Sequence, residues 1–305
     1  TPRQYDRPPL QTLAQDAGTI IRNAYEIPNI FLPLPRPGVD VTTTGLCEQV
    51  ALLVASLAVT AVVLISFATG FPAPFITAAV SVTFVCGLNW VWGKSRVVHQ
   101  PIARSDTFEK ETWLFVNGIA TSRSGLKLIL RALQGIFGRR VIGVHNRTFG
   151  IWFDLLECVL QRDLLWPTTD VREGYNIIAR HVADPRKTRI VLMGHSQGGI
   201  ILSAWIDQLL SDFSADQLRK VEIYSFASAA NHFSVPTTES GPVFARVEHF
   251  VNTKDYVSIV GLLSFAPPCP ASVVPGQTTV PAVNGRFGGR IFKRLGETGH
   301  LLLTH

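Results

Sequence analysis

A chain of 305 residues can bury a substantial core and hold one large domain with appendages. Charged residues make up 16% of it against 47% hydrophobic. Soluble domains carry about 25% charge, so part of this apolar content is expected to face lipid. The net charge of +6 comes from scattered Lys and Arg, with no dense basic run interleaved with aromatics. That argues against a nucleic-acid groove and for solvated faces or anionic lipid surfaces. Cys47, Cys86, Cys158 and Cys269 are far apart and form no C-x-x-C pair, so free buried thiols are expected rather than a disulfide framework or zinc site.

The chain opens on Thr1 rather than Met and reads as a fragment or processed product. Residues 1–46 are punctuated by Pro28, Pro33, Pro35 and Pro37, and Leu13, Ala17, Ile20 and Ile21 predict one amphipathic helix with no recognisable chemistry. From Gln49 to Gly93 there is no Asp, Glu, Lys, Arg or His. Within that stretch Val50–Phe67 and Phe75–Trp92 are apolar runs of 18 residues each, parted by Gly70 to Pro74. Each is about the minimum for a spanning helix, and the Gly/Pro link is a natural turn. Residues 47–93 are therefore expected to form a membrane hairpin, spanning or re-entrant, with Trp90 and Trp92 as interfacial anchors. Ser56, Thr60, Thr77 and Asn89 dilute its hydrophobicity and leave a pair of buried core helices as the alternative. Lys94, Arg96 and Arg104 favour the cytoplasmic side for the domain that follows.

Beyond residue 105 strands and helices alternate. Apolar runs at Trp113–Val116, Val141–Val144, Ile190–Met193, Val221–Phe226, Val247–Val251 and Ile291–Phe292 predict strands. Amphipathic stretches near residues 125–133, 171–181 and 199–212 predict helices between them. The pattern implies an α/β domain over 105–305, with about six mostly parallel strands flanked by helices. Phe265 to Pro281 reads as a long loop, and residues 259–288 as a candidate lid.

The chemistry centres on Gly194-His195-Ser196-Gln197-Gly198, set between the run Ile190–Met193 and a helical pattern that continues to Leu210. A serine at so sharp a strand-to-helix turn is held out as a nucleophile, and glycines at its flanks remove Cβ atoms where strand and helix nearly touch. Its hydroxyl needs a base, and the base an orienting carboxylate. Asp255, the only acid in the loop after Val247–Val251, and His300, in the Gly-containing loop after Ile291, follow in that order, with His305 the rival base. An ordinary turn or helix-cap aspartate is the alternative to the orienting role of Asp255. His195, His145, His181, His232 and His249 are expected to be structural, and no metal-ligand spacing or cofactor motif is present.

Through Val116-Asn-Gly-Ile119, Gly194-His-Ser-Gln-Gly198, Asn252-Thr-Lys-Asp255 and Gly299-His300, the region from about Glu111 resembles the α/β-hydrolase superfamily, in its lipase and serine esterase branch. The resemblance implies an oxyanion hole of the Gln197 and Ile119 N–H groups and a fold lacking its first two strands. Asn117-Gly118 departs from the usual His-Gly. The expectation is a membrane-anchored serine hydrolase that uses Ser196, His300 and Asp255 on lipid or other apolar acyl esters. It requires no cofactor and binds no nucleic acid, and its substrate-side partner is the bilayer; protein partners are not specified. A catalytically silent scaffold of the same fold, and an acyltransferase or thioesterase with the same triad, are the alternatives.

Overall fold

The computed structural model describes residues 9–35, 41–69, 79–80, 83, 87, 97–99, 108–265, 278–281 and 287–305. In chain order the helices are α1 (Pro9–Arg22), α2 (Thr43–Thr69), α3 (Arg123–Phe137), α4 (Ile151–Asp163), α5 (Thr169–Ala183), α6 (Gln197–Asp212), the single turn α7 (Ala215–Leu218) and α8 (Tyr256–Val260). The strands are β1 (Val97–His99), β2 (Glu111–Val116), β3 (Val141–Val144), β4 (Arg189–His195), β5 (Val221–Phe226), the small pair β6 (Thr237–Thr238) and β7 (Gly241–Pro242), then β8 (Arg246–Asn252), β9 (Thr278–Pro281) and β10 (Arg290–Arg294).

The main sheet runs β1-β3-β2-β4-β5-β8-β10-β9. The six strands expected from the sequence are its parallel centre. Two antiparallel edge strands enlarge the six-stranded expectation: β1 on β3 and β9 on β10. One strand therefore does precede the predicted domain, and the loop expected over 265–281 ends in β9. Most of the candidate lid, residues 259–288, lies outside the described residues.

The central strands β2 and β4 are buried on both faces, which is why they read as continuous apolar runs, whereas β5 alternates buried and half-buried residues. Along β2 and β4 successive residues feed opposite layers. Leu114, Val116, Ile190 and Leu192 pack with α5 and α6, while Trp113, Phe115, Val191 and Met193 pack with α3. The register sets Val116 beside Gly194 and His195 beside Phe226, so the C-terminal ends of β2, β4 and β5 finish side by side. Ser122 caps α3 by accepting from the Gly125 N–H, and Gly138 ends it in the left-handed conformation. Trp205 of α6 is fully buried, donates to the Val171 carbonyl at 2.7 Å and lies where any side chain at Gly174 would sit. Truncating it to Ala should cost about 3–5 kcal/mol.

Helix α1 forms, but not in the expected sense. Its polar residues Thr12 and Asp16 face the domain while Leu10 and Ile21 face outward. The helix is held by a buried ion pair between Asp16 and Arg162 of α4 at 2.9 Å, so electrostatics rather than apolar burial fix its inner face. Helix α2 takes up the first predicted apolar segment at 27 residues and mean hydropathy 2.7, with 12% of that window buried. Its first turns rest on the domain: Thr42 bonds Ser124 at 2.9 Å, Gln49 accepts from Thr148 at 3.3 Å, and Leu52 packs against Gly150. The second segment, Phe75–Trp92, lies largely outside the described residues, as do Lys94, Arg96 and Arg104, so one apolar helix is described rather than two. Helices α4 and α8 were not expected. α4 turns Asp154, Gln161 and Arg162 inward and leaves Leu155 and Leu156 exposed, and α8 is only five residues long. Cys47 and Cys158 are free thiols; Cys86 and Cys269 lie outside the described residues.

Candidate active site

Ser196 is the residue between β4 and α6, with φ 58° and ψ −122°. A non-glycine residue there stores about 1–3 kcal/mol of strain, which the surrounding packing must hold in place. That packing is close. A Cβ on Gly194 would lie 2.6 Å from the Gly198 carbonyl oxygen, and one on Gly198 would meet the carbonyl oxygens of Val116 and Asn117 at the end of β2. The turn is also tied to its neighbours, since the Ser196 N–H donates to Phe226 at 3.0 Å and its carbonyl accepts from Ala229 at 3.1 Å.

Asp255 and His300 are brought together from loops after β8 and β10. His300 Nδ1 donates to Asp255 Oδ2 at 3.0 Å, which leaves Nε2 with its lone pair. Asp255 also caps α8, accepting from the Val257 and Ser258 N–H groups at 3.1 and 3.3 Å and from the Ser258 hydroxyl at 2.6 Å. The helix-cap reading of this residue is met, and the same carboxylate faces His300. Burial pushes its carboxyl up, but the His300 ring and the Ser258 hydrogen bonds outweigh that and hold it below the usual range. Asn252 fixes the histidine loop by donating to the Thr298 and Gly299 carbonyls at 3.0 and 2.9 Å. Among the described residues, the Ser196 hydroxyl makes no hydrogen bond to His300 or His305.

His195 was expected simply to pack. Its Nε2 donates to the His300 carbonyl at 2.6 Å and its ring lies 4.8 Å from the His300 ring. Burial beside the His300 ring pushes His195 well below its ordinary value, so it stays neutral and serves as a donor. His305 is likewise pushed down, to about 4, by burial. Its ring nitrogens make no hydrogen bond of ordinary geometry. The donor atoms of Asp255, His300 and His305 lie within 4.8 Å of one another.

The segments expected to supply the oxyanion donors adjoin the serine. Gln197 opens α6, where backbone N–H groups have no intrahelical acceptor and the helix dipole favours negative charge. On the other side Gly118 touches Ser196: a Cβ there would lie 2.5 Å from the serine Cβ and 3.0 Å from its hydroxyl. The next N–H but one, that of Ala120, is taken by Asp154 at 3.1 Å.

Sequence reasoning missed the side chains that hold these donors. Asp154 is buried and also accepts from the Thr148 hydroxyl at 2.6 Å and the Phe149 N–H at 2.7 Å. Burial raises its carboxyl, and those hydrogen bonds oppose the rise. Asn117, where the lipase-type loop has His, is fully buried, donates to Asn146 and accepts from its N–H at 2.8 and 3.0 Å. Asn146 in turn donates to the Gln197 side chain at 2.5 Å, and Gln197 donates to Gln161 at 2.9 Å. A chain of amides thus pins both sides of the serine turn, and every member is remote from the next in sequence. His249 is the structural histidine that was expected, held between the Ser225 hydroxyl at 2.7 Å and the Gly288 carbonyl at 2.8 Å. A cleft of about 200 Å³ opens beside α6, lined by Gln161, Arg162, Trp166, Asp207 and His232 and by none of Ser196, Asp255 and His300.

Fold and site define a three-layer α/β protein with a strained serine at a strand-to-helix turn and an aspartate–histidine pair at the same sheet edge. No protein-family model and no curated protein sequence matches the chain. Among solved structures it is similar to "Alpha/beta hydrolase domain-containing protein 10 from mouse", at 13% identity and a TM-score of 0.34 over 68% of this chain and 91% of that one.

Proposed function

We propose that the protein is a serine hydrolase of carboxylic esters, built on an α/β-hydrolase architecture, tethered to a membrane and acting on lipid or other apolar acyl esters. The observation that carries this reading is the strained Ser196 turn at the same sheet edge as the Asp255–His300 pair, 3.0 Å apart. The Ser196 oxygen attacks the ester carbonyl while His300 Nε2 takes its proton, and the imidazolium is stabilised by Asp255. The carbonyl becomes an oxyanion held by the Gln197 and Ile119 N–H groups. Collapse breaks the ester C–O bond, and the leaving alkoxide takes the proton from His300. Water then repeats the sequence on the acyl-serine, with His300 as base and then acid, and releases the carboxylic acid.

The tether is α2, whose 27 residues span about 40 Å at ~1.5 Å per residue and whose surface is mostly unburied. The basic residues after the second apolar segment favour a cytoplasmic catalytic domain, a placement that protease protection in sealed membranes would test. Labelling with a fluorophosphonate probe tests the chemistry. The wild type should label and Ser196→Ala should not; a folded wild type that stays unlabelled leaves a silent scaffold. Product analysis with water and alcohol acceptors separates hydrolase from acyltransferase. Extraction with alkaline carbonate tests the tether, and release into the soluble fraction would rule it out.

A further inference from the structure

The segment before α2 is inside out. Of the residues from Pro9 to Pro35, the acidic and basic ones are Asp16, Arg22 and Glu26. Asp16 is turned inward onto Arg162, and Glu26 accepts from Asn29. The outward face carries Leu10 (74% exposed), Ile21 (75%), Tyr25 (74%) and Leu34 (73%), with Phe31 and Leu32 also exposed. A segment evolved for water would bury its leucines and expose its aspartate, so this polarity needs an apolar medium outside the protein. The neighbouring surface agrees. Both α1 and α2 pack on α4, and α4 exposes Leu155 and Leu156.

The inner side of the same segment touches the two loops of the candidate site. The Tyr256 hydroxyl, next to Asp255, donates to the Ile20 carbonyl at 3.1 Å. The Gly299 N–H, next to His300, donates to the Asn29 carbonyl at 3.2 Å.

We infer that residues 9–35 are a second, interfacial membrane-docking element that lies in the plane of the bilayer beside the inserted α2 and seats the Asp255 and His300 loops against the lipid. The occupant is a bilayer because α1 rests on the same helix, α4, as α2, whose length and hydropathy suit a membrane. Tyr25 and Arg22 suit the headgroup level, where an aromatic ring and a cation sit with their apolar stems below. The inference rests on the membrane reading of α2 but not on the ester chemistry.

The test uses the full chain in phosphatidylcholine vesicles containing one-fifth phosphatidylserine. Cys47, Cys86, Cys158 and Cys269 are replaced by Ser, and a single environment-sensitive nitrobenzoxadiazole dye is placed at Ile21→Cys, Leu34→Cys or, as a water-facing reference, Asp216→Cys. Asp216 is 90% exposed. Circular dichroism melts confirm that each labelled variant is folded. An interfacial helix sinks its apolar face about 5–10 Å into the headgroup and acyl boundary. Dyes at 21 and 34 should therefore shift to the blue and lose emission to lipids brominated high on the acyl chain, and the dye at 216 should do neither. If 21 and 34 behave like 216 in vesicles from which carbonate does not release the protein, the docking of residues 9–35 is overturned while α2 insertion stands. A blue shift that is insensitive to brominated lipid and vanishes on dilution assigns the face to a second copy of the chain and equally overturns it.

Discussion

Asp154 is the sharpest test of how the candidate site is held. Its carboxylate, 1% exposed, accepts three hydrogen bonds, from Ala120, Thr148 and Phe149. Asp154→Ala removes the acceptor from all three donors, at up to about 1–3 kcal/mol each, with Thr148 keeping its 3.3 Å bond to Gln49. The expected loss is about 4 kcal/mol of unfolding free energy. Asp154→Asn keeps the shape and one acceptor oxygen but turns an NH2 toward a donor, and should cost about 1–3 kcal/mol. The functional consequence runs through Ala120: freeing its N–H loosens the Gly118–Ala120 turn that carries the proposed Ile119 donor. A misplaced oxyanion donor costs up to about 10²–10³ in kcat, so Asp154→Asn should lower kcat some 10- to 100-fold, about 1.4–2.7 kcal/mol of barrier. KM should change little, because the donor acts on charge that develops in the transition state. Hydrolysis of a p-nitrophenyl acyl ester in detergent micelles gives kcat and KM, and urea unfolding of the same samples gives stability. An Asp154→Asn protein that is destabilised yet keeps wild-type kcat would refute the positioning role. Unchanged stability in Asp154→Ala would refute the hydrogen-bond network itself.

Three further outcomes are expected. Gly118→Ala places a methyl 2.5 Å from the Ser196 Cβ; it should cost about 1–3 kcal/mol by overpacking and slow fluorophosphonate labelling of Ser196 at least tenfold, and labelling at the wild-type rate would show that this contact relaxes freely. His249 is pushed down to about 4 by burial, so the unfolded chain takes up a proton below about 6.5 that the folded protein refuses. Stability should fall by about 3 kcal/mol as pH drops from 6.5 to 4, and His249→Gln should flatten that slope in urea titrations, with His305 contributing a second, similar fall. Asp163 behaves in the opposite sense. Burial, then the Asp16 carboxyl beside it, push it up to about 7 against the pull of Arg162. The folded protein thus keeps a proton that the unfolded chain has released, and stability is lost as pH rises from about 4 to 7. Asp163→Asn should match the wild type near pH 4 and exceed it above pH 7, and melts at both values decide it.

Much of this architecture was legible because it is written locally. Ile190–Met193 followed by Gly194-His-Ser-Gln-Gly198 requires only neighbouring residues to make a buried strand, a crowded turn and a helix start, and the six apolar runs all became parallel strands. Asp255 and His300 were singled out by their order and their loops, and they meet because each sits just past a strand that ends at the same sheet edge. What the sequence could not disclose depends on groups remote along the chain meeting in space. Asn117, Asn146, Gln197 and Gln161 are ordinary polar residues until strand register makes them one chain of amides. Asp154 acquires its role only when Ala120, Thr148 and Phe149 converge on its carboxylate, and His195 only when the His300 carbonyl comes within 2.6 Å of it. Helix α1 is the clearest case. Its periodicity marked an apolar face correctly, but which face turns inward is an energy difference between burying leucines and pairing Asp16 with Arg162. That difference exists only once α4 has presented the arginine.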